Sequence, residues 1–256
     1  MICTVCGEQD FSRLYQYHTP DRYEQWVGIT SVDRSWHQCT SCGFVQSKRN
    51  YDLSLIEKIY SNGYRDVDFR GMTIGKAFRE VMDMGGRSEN SKRLHWLCTK
   101  VPKFRVLDIG SGLGVVPYVL SQLGFSVDCV EKNTDSVGFL YGLGLHCYKD
   151  LPDKPYDMVT LVHVLEHIEQ PDWFLQDVRK NIMPAGRLFI EVPDSKAFRY
   201  LPKEHDDFNS CHVYSFNPSG LIRVVERNGF DVTDLSRLYY QDRKLSRVLM
   251  LCRKIG

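Results

Sequence analysis

Long apolar runs are missing from this chain of 256 residues. No stretch approaches the roughly 20 apolar residues that a membrane-spanning helix needs. The start, Met1-Ile2-Cys3-Thr4-Val5-Cys6, has no basic segment followed by an apolar one. It does not read as a secretory signal, and the expectation is a cytoplasmic protein. Excess charge of one sign is missing too: the formal net charge is +1. Such a balance gives no electrostatic pull toward nucleic acid or an anionic membrane surface. Internal repeats and low-complexity segments are absent, which excludes solenoids and disordered tails.

Cysteine, by contrast, is plentiful, with nine residues. An odd count without an export signal argues against a disulfide framework. Cys129 and Cys147 fall inside apolar runs and read as small buried hydrophobes. Four others form two knuckles, Cys3-Thr4-Val5-Cys6-Gly7 and Cys39-Thr40-Ser41-Cys42-Gly43. Two residues between thiolates let the backbone turn so that both sulfurs reach one ion, and the glycine closes the turn. Four thiolates in a tetrahedron suit Zn2+. The span between the knuckles is long, but loop-closure cost rises slowly with length. A four-cysteine site is coordinatively closed, so Cys3, Cys6, Cys39 and Cys42 predict a structural zinc in a ribbon over residues 1–50. Redox-active pairs or disulfides are the alternatives; the first lacks a βαβ setting and the second conflicts with a cytoplasmic location.

Residues 1–50 show no helical periodicity. Residues 51–102 read as a helical lid or linker. One helix is capped by Asp52, runs through Leu55, Ile56 and Ile59 to Tyr60, and ends at Ser61-Asn62-Gly63. A second covers Ile74 to Met84. A third, after Ser88, carries Leu94, Leu97, Cys98 and Val101 on one side until Pro102. From residue 103 onward, strands and helices alternate. Strands are expected over 104–109, 125–130, 145–148, 156–162 and 187–192. Helices are expected over 115–123, 134–141, 171–182 and 218–228, followed by strands over 230–238 and 246–252. This is the pattern of an α/β, Rossmann-like, mostly parallel sheet of seven strands. The last two strands lack a helix between them, so the final one should run antiparallel.

A parallel sheet binds its ligand at the carboxyl ends of its strands. The first strand of this region ends in Asp108-Ile109, and Gly110-Ser111-Gly112-Leu113-Gly114 follows at once. Glycines permit the tight turn and close approach of backbone amides to a ligand. The second strand ends in Glu131, where a carboxylate can accept hydrogen bonds from both hydroxyls of a ribose.

With those residues in view, the chain resembles class I S-adenosylmethionine-dependent methyltransferases that carry an N-terminal zinc-binding ribbon, similar to sugar and natural-product methyltransferases. The resemblance rests on Val106–Gly114, the strand ending in Glu131, Tyr156-Asp157-Met158-Val159, Val164-Leu165-Glu166-His167 and Glu191-Val192-Pro193-Asp194. It implies S-adenosyl-L-methionine as cofactor. Asp108, Gly110, Ser111, Gly112 and Gly114 would hold its methionyl part, and Glu131, with Lys132 beside it, the ribose. Asp150 and Leu151 would lie near the adenine, and His163 would border the methionyl group. His167 has a plain alternative as a structural hydrogen-bonding residue.

Methyl transfer from a sulfonium is an in-line displacement, so the protein must align the acceptor and commonly removes a proton from it. The general base should come from outside the cofactor core. Residues 194–217 form a long connection rich in aromatic and ionisable side chains, and such connections are commonly functional. His212 is the first candidate base, followed by His205 and Tyr214. Alternation suggests that His212, Tyr214 and Phe216 share one face of an extended segment. Tyr60, Tyr64 and Arg65 could form a lid. The expected acceptor is a small molecule, such as a nucleotide-linked sugar or a natural-product intermediate, methylated on carbon or oxygen. An RNA methyltransferase is one alternative. It is disfavoured because the ribbon carries Arg13, Arg22 and Arg34 against Glu8, Asp10, Asp21, Glu24 and Asp33. A catalytically silent scaffold is the other, opposed by the intact glycine loop and Glu131.

Overall fold

The computed structural model describes residues 1–52, 54–58, 72–102, 104–240 and 245–256. The candidate lid residues Tyr60, Tyr64 and Arg65, and the expected helix stop at Ser61-Asn62-Gly63, lie outside them. The described elements are β1 (Phe11–Tyr17), α1 (Arg22–Trp26), β2 (Arg34–Cys39), β3 (Val45–Lys48), α2 (Ser54–Lys58), α3 (Ile74–Asp83) and α4 (Glu89–Cys98). The alternating region follows with β4 (Arg105–Ile109), α5 (Val115–Gln122), β5 (Ser126–Val130), α6 (Thr134–Gly142), β6 (His146–Tyr148), β7 (Tyr156–Val162), α7 (Pro171–Lys180) and β8 (Ile182–Pro193). The chain closes with β9 (Tyr214–Ser215), α8 (Pro218–Arg227), β10 (Phe230–Tyr240) and β11 (Leu245–Lys254).

Seven strands form one sheet in the order β10-β11-β8-β7-β4-β5-β6. The pairs β4–β5, β4–β7, β5–β6 and β7–β8 are parallel, and β11 runs antiparallel to both β8 and β10. This is the expected α/β architecture. The two-residue period sends Val106, Met158, Phe189 and Leu251 to one face, where they meet Leu94 and Leu97 of α4 and Leu120 of α5. Leu107, Val159, Ile190 and Met250 face the other side with Leu175 and Val178 of α7 and Leu221 and Val224 of α8. Apolar runs buried on both faces are what a parallel core requires. The segment before β4 is packed onto this core. Phe78 of α3 makes edge contacts with Tyr118 and Phe139, both at a 5.4 Å centroid separation.

The N-terminal module departs from the expectation in two ways. First, it contains a helix. Asp21 caps α1 by accepting the amides of Tyr23 and Glu24, while the Glu24 side chain accepts the Asp21 amide. This reciprocal capping box is visible in the sequence as Asp21-x-x-Glu24, and it makes a five-residue helix viable despite its shortness. Second, β1, β2 and β3 do not complete their sheet alone. The order is β1-β2-β3-β9, so the fourth strand comes from the far connection at residues 214–215.

The helix expected to run through Ile182 ends at Lys180, and β8 begins at Ile182. The Tyr156 amide donates to the Asn181 carbonyl, so β7 starts to pair where α7 stops.

Inside the N-terminal module, Arg34 is buried with its Nε 3.0 Å from Glu24, itself fully buried, and with Nη2 3.3 Å from Asp21. Nη1 donates to the Phe208 carbonyl at 2.6 Å. Removing one partner of a buried ion pair strands the other charge. Glu24→Ala is therefore expected to lower stability by about 3 kcal/mol in urea unfolding, whereas exposed Glu8→Ala should be neutral.

Candidate functional site

The glycine loop sits at the carboxyl end of β4 with Gly110, Gly112 and Gly114 all at positive φ (72°, 51° and 75°). A Cβ on Gly110 would lie 2.7 Å from Val164 Cγ2, and one on Gly114 would lie 2.5 Å from Leu140 Cδ2. Those two glycines let the loop close on its own protein. Gly112 differs: the only atom that a Cβ there would approach is the Gly110 carbonyl, at 3.9 Å. Its amide donates to Glu131 Oε2 at 2.8 Å, and the Asn133 amide donates to Oε1 at 2.8 Å. Glu131 is thus pinned across the loop by two backbone donors, with lone pairs left on both oxygens for a ligand.

Asp108 is buried within β4, and the Thr160 hydroxyl donates to it. Burial raises its carboxyl to about 6, against the hydrogen bonds from Thr160 and Ser111. Ser111 is buried and donates to the Asp108 carbonyl at 2.9 Å. Lys132 and Asp150 are exposed, and Leu151 is half-buried against the main core. These residues line the carboxyl ends of β4, β5 and β6.

His163 ends β7 in a left-handed backbone conformation (φ 55°), a cost that non-glycine residues bear mainly at functional sites. Its Nδ1 is 3.0 Å from Glu166 and its Nε2 3.3 Å from Glu191. Burial alone would lower this imidazole, but the two carboxylates outweigh it and raise it to about 9. Glu191 is fully buried and forms a two-pronged ion pair with Arg93 of α4. Burial opposes its charge, yet Arg93 and His163 hold it well below the usual carboxylate range. Arg247 extends the group through Asp207 at 3.1 Å and Glu89 at 3.4 Å.

Next to it lies a second cluster. The imidazoles of His167 and His212 pack edge to face, 4.7 Å apart. His167 Nδ1 donates to the Cys211 carbonyl at 3.0 Å, and His212 Nδ1 donates to the Asp207 carbonyl at 2.9 Å. A carbonyl can only accept, so both rings carry a proton on Nδ1. Glu166 is fully buried beside them, and its Oε2 has no hydrogen-bond partner among the described residues. Burial opposes its ionisation, but His163 and His167 hold it at about 2. Burial, reinforced by His212, lowers His167 to about 4. Val164, which packs on Gly110, joins this cluster to the glycine loop.

The other two candidate bases are not brought here. His205 caps the turn at Asp206–Phe208, where its Nδ1 accepts the Asp207 amide. Tyr214 donates to the Glu169 carbonyl at 2.8 Å and packs on Phe44 with Phe216. The strand is only two residues long, so His212 precedes it and turns toward His167 instead of sharing the Tyr214–Phe216 face. Arg93 and Arg247 are missed in the sequence, and Asp207 stands out there only as one of the ionisable residues of the 194–217 connection. Arg93 beside Leu94 and Leu97, on the apolar side of a helix, is the one signal that points to a buried charge.

The four cysteine sulfurs lie within 4.8 Å of one another, with Cys3–Cys42 at 3.5 Å and Cys6–Cys39 at 3.6 Å. Gly7 and Gly43 close the knuckles at positive φ, each donating to the carbonyl of its first cysteine at 2.9 Å. Burial would raise the Cys39 thiol, but the amides of Cys42 and Ser41 and the Cys6 thiol lower it to about 7. Such a donor set fits one tetrahedral Zn2+.

The family model described as methyltransferase domain matches residues 69–235. The chain belongs to that family. This methyltransferase is 26% identical over 223 residues to the ubiquinone biosynthesis O-methyltransferase of Aeromonas salmonicida, covering 77% of this chain and 89% of that one. The mitochondrial protein of the same name from Schizosaccharomyces pombe is 29% identical over 183 residues, 62% of each chain. Among solved structures, the 1,6-didemethyltoxoflavin-N1-methyltransferase of Burkholderia thailandensis, with bound S-adenosylhomocysteine, aligns with a TM-score of 0.58. It is 15% identical, and the match covers 85% of this chain and 98% of that one. A glycopeptide N-methyltransferase complexed with S-adenosyl-L-methionine gives 0.53 at 18% identity, covering 65% and 94%. These neighbours share the fold. The protein is an S-adenosylmethionine-dependent methyltransferase. Among the described residues, no helix is long and apolar enough to cross a membrane.

The opposite shifts of His163 and His167 give opposite pH signatures. His163 is raised when folded, so its contribution to stability is full below about pH 6.5 and lost as pH rises through about 9. His167 is lowered, so stability falls as pH drops from about 6.5 through about 4. Melting temperature against pH should lose its alkaline slope in His163→Gln and its acid slope over pH 4–6.5 in His167→Gln.

Proposed function

We propose that this methyltransferase acts on a small polar acceptor, a nucleotide-linked sugar or natural-product intermediate, and that His212 is the general base. The observation that carries this is the Nδ1–H of His212 donating to the Asp207 carbonyl, which directs Nε2 away from that bond, in a ring packed on His167, three residues past the Val164 that touches Gly110. The carboxylate, guanidinium and imidazole groups of the two clusters are chemically suited to a hydroxyl-bearing acceptor. The curated relatives are named O-methyltransferases, which favours oxygen as the acceptor atom.

The bound cofactor supplies a methyl group already activated on sulfonium. Glu131 would accept hydrogen bonds from the ribose hydroxyls, while Asp108, Gly110, Ser111, Gly112, Gly114 and His163 would surround the methionyl portion. Lys132 adds a flanking cation, and Asp150 and Leu151 border the adenine. His212 takes the acceptor proton at Nε2 as the oxygen attacks. Glu166 then faces the imidazolium that forms, as a charge of opposite sign should. Cys3, Cys6, Cys39 and Cys42 hold a structural zinc away from the chemistry.

Calorimetry with S-adenosylhomocysteine tests the cofactor site. Glu131→Ala is expected to weaken binding by about tenfold or more, the loss of a charge-assisted hydrogen-bond pair. Asp108→Asn should weaken binding too, yet raise the melting temperature of the free protein near pH 8, because a carboxyl raised to about 6 is ionised there at a burial cost. For the acceptor, methyl transfer from labelled cofactor to a panel of nucleotide sugars and phenols should give turnover that His212→Gln reduces by roughly 10²–10⁴. Full activity in that variant would remove His212 from the role.

A further inference from the structure

The connection that carries His212 has two sides. The carbonyls of Asp207 and Cys211 point inward and orient His212 and His167. The carbonyls of Phe208, Ser210 and His212 point the other way and are taken by the N-terminal module. Arg34 and Trp36 donate to Phe208 at 2.6 and 3.1 Å. Arg49 Nη1 donates to Ser210 at 2.6 Å, and its Nη2 donates to His212 at 2.9 Å. One planar guanidinium therefore brackets Cys211, the residue whose carbonyl fixes His167. The Ser47 amide adds a rung to the Val213 carbonyl at 2.9 Å.

The cysteine knuckles fix this arrangement at its base. β2 ends on Cys39 and β3 begins just past Cys42. Phe44 between them is fully buried against Tyr214 and Phe216. Asn217 donates to the Cys42 carbonyl at 3.0 Å, and Arg227 donates to the Thr4 and Val5 carbonyls at 2.9 Å. The strand that presents Arg49 is thereby anchored by the four-cysteine cluster on one side and by α8 on the other.

We infer that Arg49 is a positioning residue, through which the cysteine-knuckle module sets the orientation of His167 and His212 in the acceptor site. The inference rests on the proposed role of His212 for its effect on turnover, but not for its effect on the histidines. Arg49 touches neither imidazole; it acts through the carbonyls of Ser210 and His212. Lysine has three donors on one compact nitrogen and lacks the planar fork by which two guanidinium nitrogens each take one of these carbonyls. The module thus holds the backbone that carries the two histidines, unlike an appended tag.

The test uses the full chain loaded with zinc, as wild type, Arg49→Lys and Arg49→Met, and wild type after zinc is withdrawn by a chelator and restored. Imidazole nitrogen resonances report the tautomers, calorimetry reports S-adenosylhomocysteine affinity, and labelled-cofactor turnover reports catalysis. In wild type, His167 and His212 should both show protonated Nδ1. In Arg49→Met and in zinc-depleted protein that state should mix with protonated Nε2. Turnover should then fall on the order of 10²-fold, the scale of a small misplacement at a reacting centre. Cofactor affinity should stay within about twofold, because the glycine loop and Glu131 make no contact with Arg49. Arg49→Lys should fall between the two, and restoring zinc should restore the resonances. Unchanged histidine resonances in Arg49→Met, or loss of cofactor affinity in step with turnover, would overturn the inference. Altered resonances with undiminished turnover would uphold the positioning role and instead remove His212 as the base.

Discussion

Backbone carbonyls that have no partner in the main sheet must be satisfied by something, and in this protein they are satisfied from two sides. The segment from Asp207 to Val213 belongs to no helix beyond one short turn and to no strand until Tyr214. Its outward carbonyls are received by Arg34, Trp36, Ser47 and Arg49, and its inward ones by two histidines. Buried peptide groups left unpaired are costly, so this accounting fixes the segment. The β3–β9 pairing follows from it, as does the seating of the N-terminal sheet on the methyltransferase core.

Charge is handled by the same logic in the next layer. Glu191 can be ionised with no solvent contact because Arg93 grips it with two donors and His163 approaches from the third side. Glu166 is bonded through Oε1 to His163, its Oε2 has no hydrogen-bond partner among the described residues, and one of its oxygens lies within 4.8 Å of His167 and His212 nitrogens. A half-satisfied buried carboxylate is a poor way to stabilise a fold. Its place beside two imidazoles suits the proposed role, in which His212 gains a proton during turnover. Asp108 likewise carries a burial cost beside the glycine loop. Stability is given up at the positions where the chemistry is assigned, a common feature of enzyme sites.

Much of the fold is legible in the residues. Runs such as Arg105–Ile109 and Tyr156–Val162 are mostly apolar and buried, and the helices carry start signals that a reader can see: the caps Asn133 and Asn217, and proline at the first position in Pro171 and Pro218. The loop Gly110–Gly114 and Glu131 are local features, set by φ and by strand ends, so their meeting at the carboxyl end of β4 could be read in sequence. The cysteine knuckles could be read for the same reason. The acceptor side resisted reading because its members are far apart in the chain: Arg49, Arg93, His167, Asp207, His212 and Arg247 meet only after the sheet has formed. The surroundings of Tyr214 were illegible for a related cause. Alternation predicts which residues share a face, but which partner covers that face depends on Phe44, a residue of another module.

The sequence by itself determined the α/β alternation, the antiparallel ending, the glycine loop with its acidic companion and the four-cysteine donor set. Each of these depends on backbone geometry or periodicity over a few residues, which local composition controls. The tertiary structure alone decided that the N-terminal sheet borrows a strand from the acceptor connection, that His212 and not His205 or Tyr214 faces His167, and that Arg49 holds the backbone between them. Those outcomes depend on which carbonyl meets which donor across long chain separations, and no local pattern encodes that.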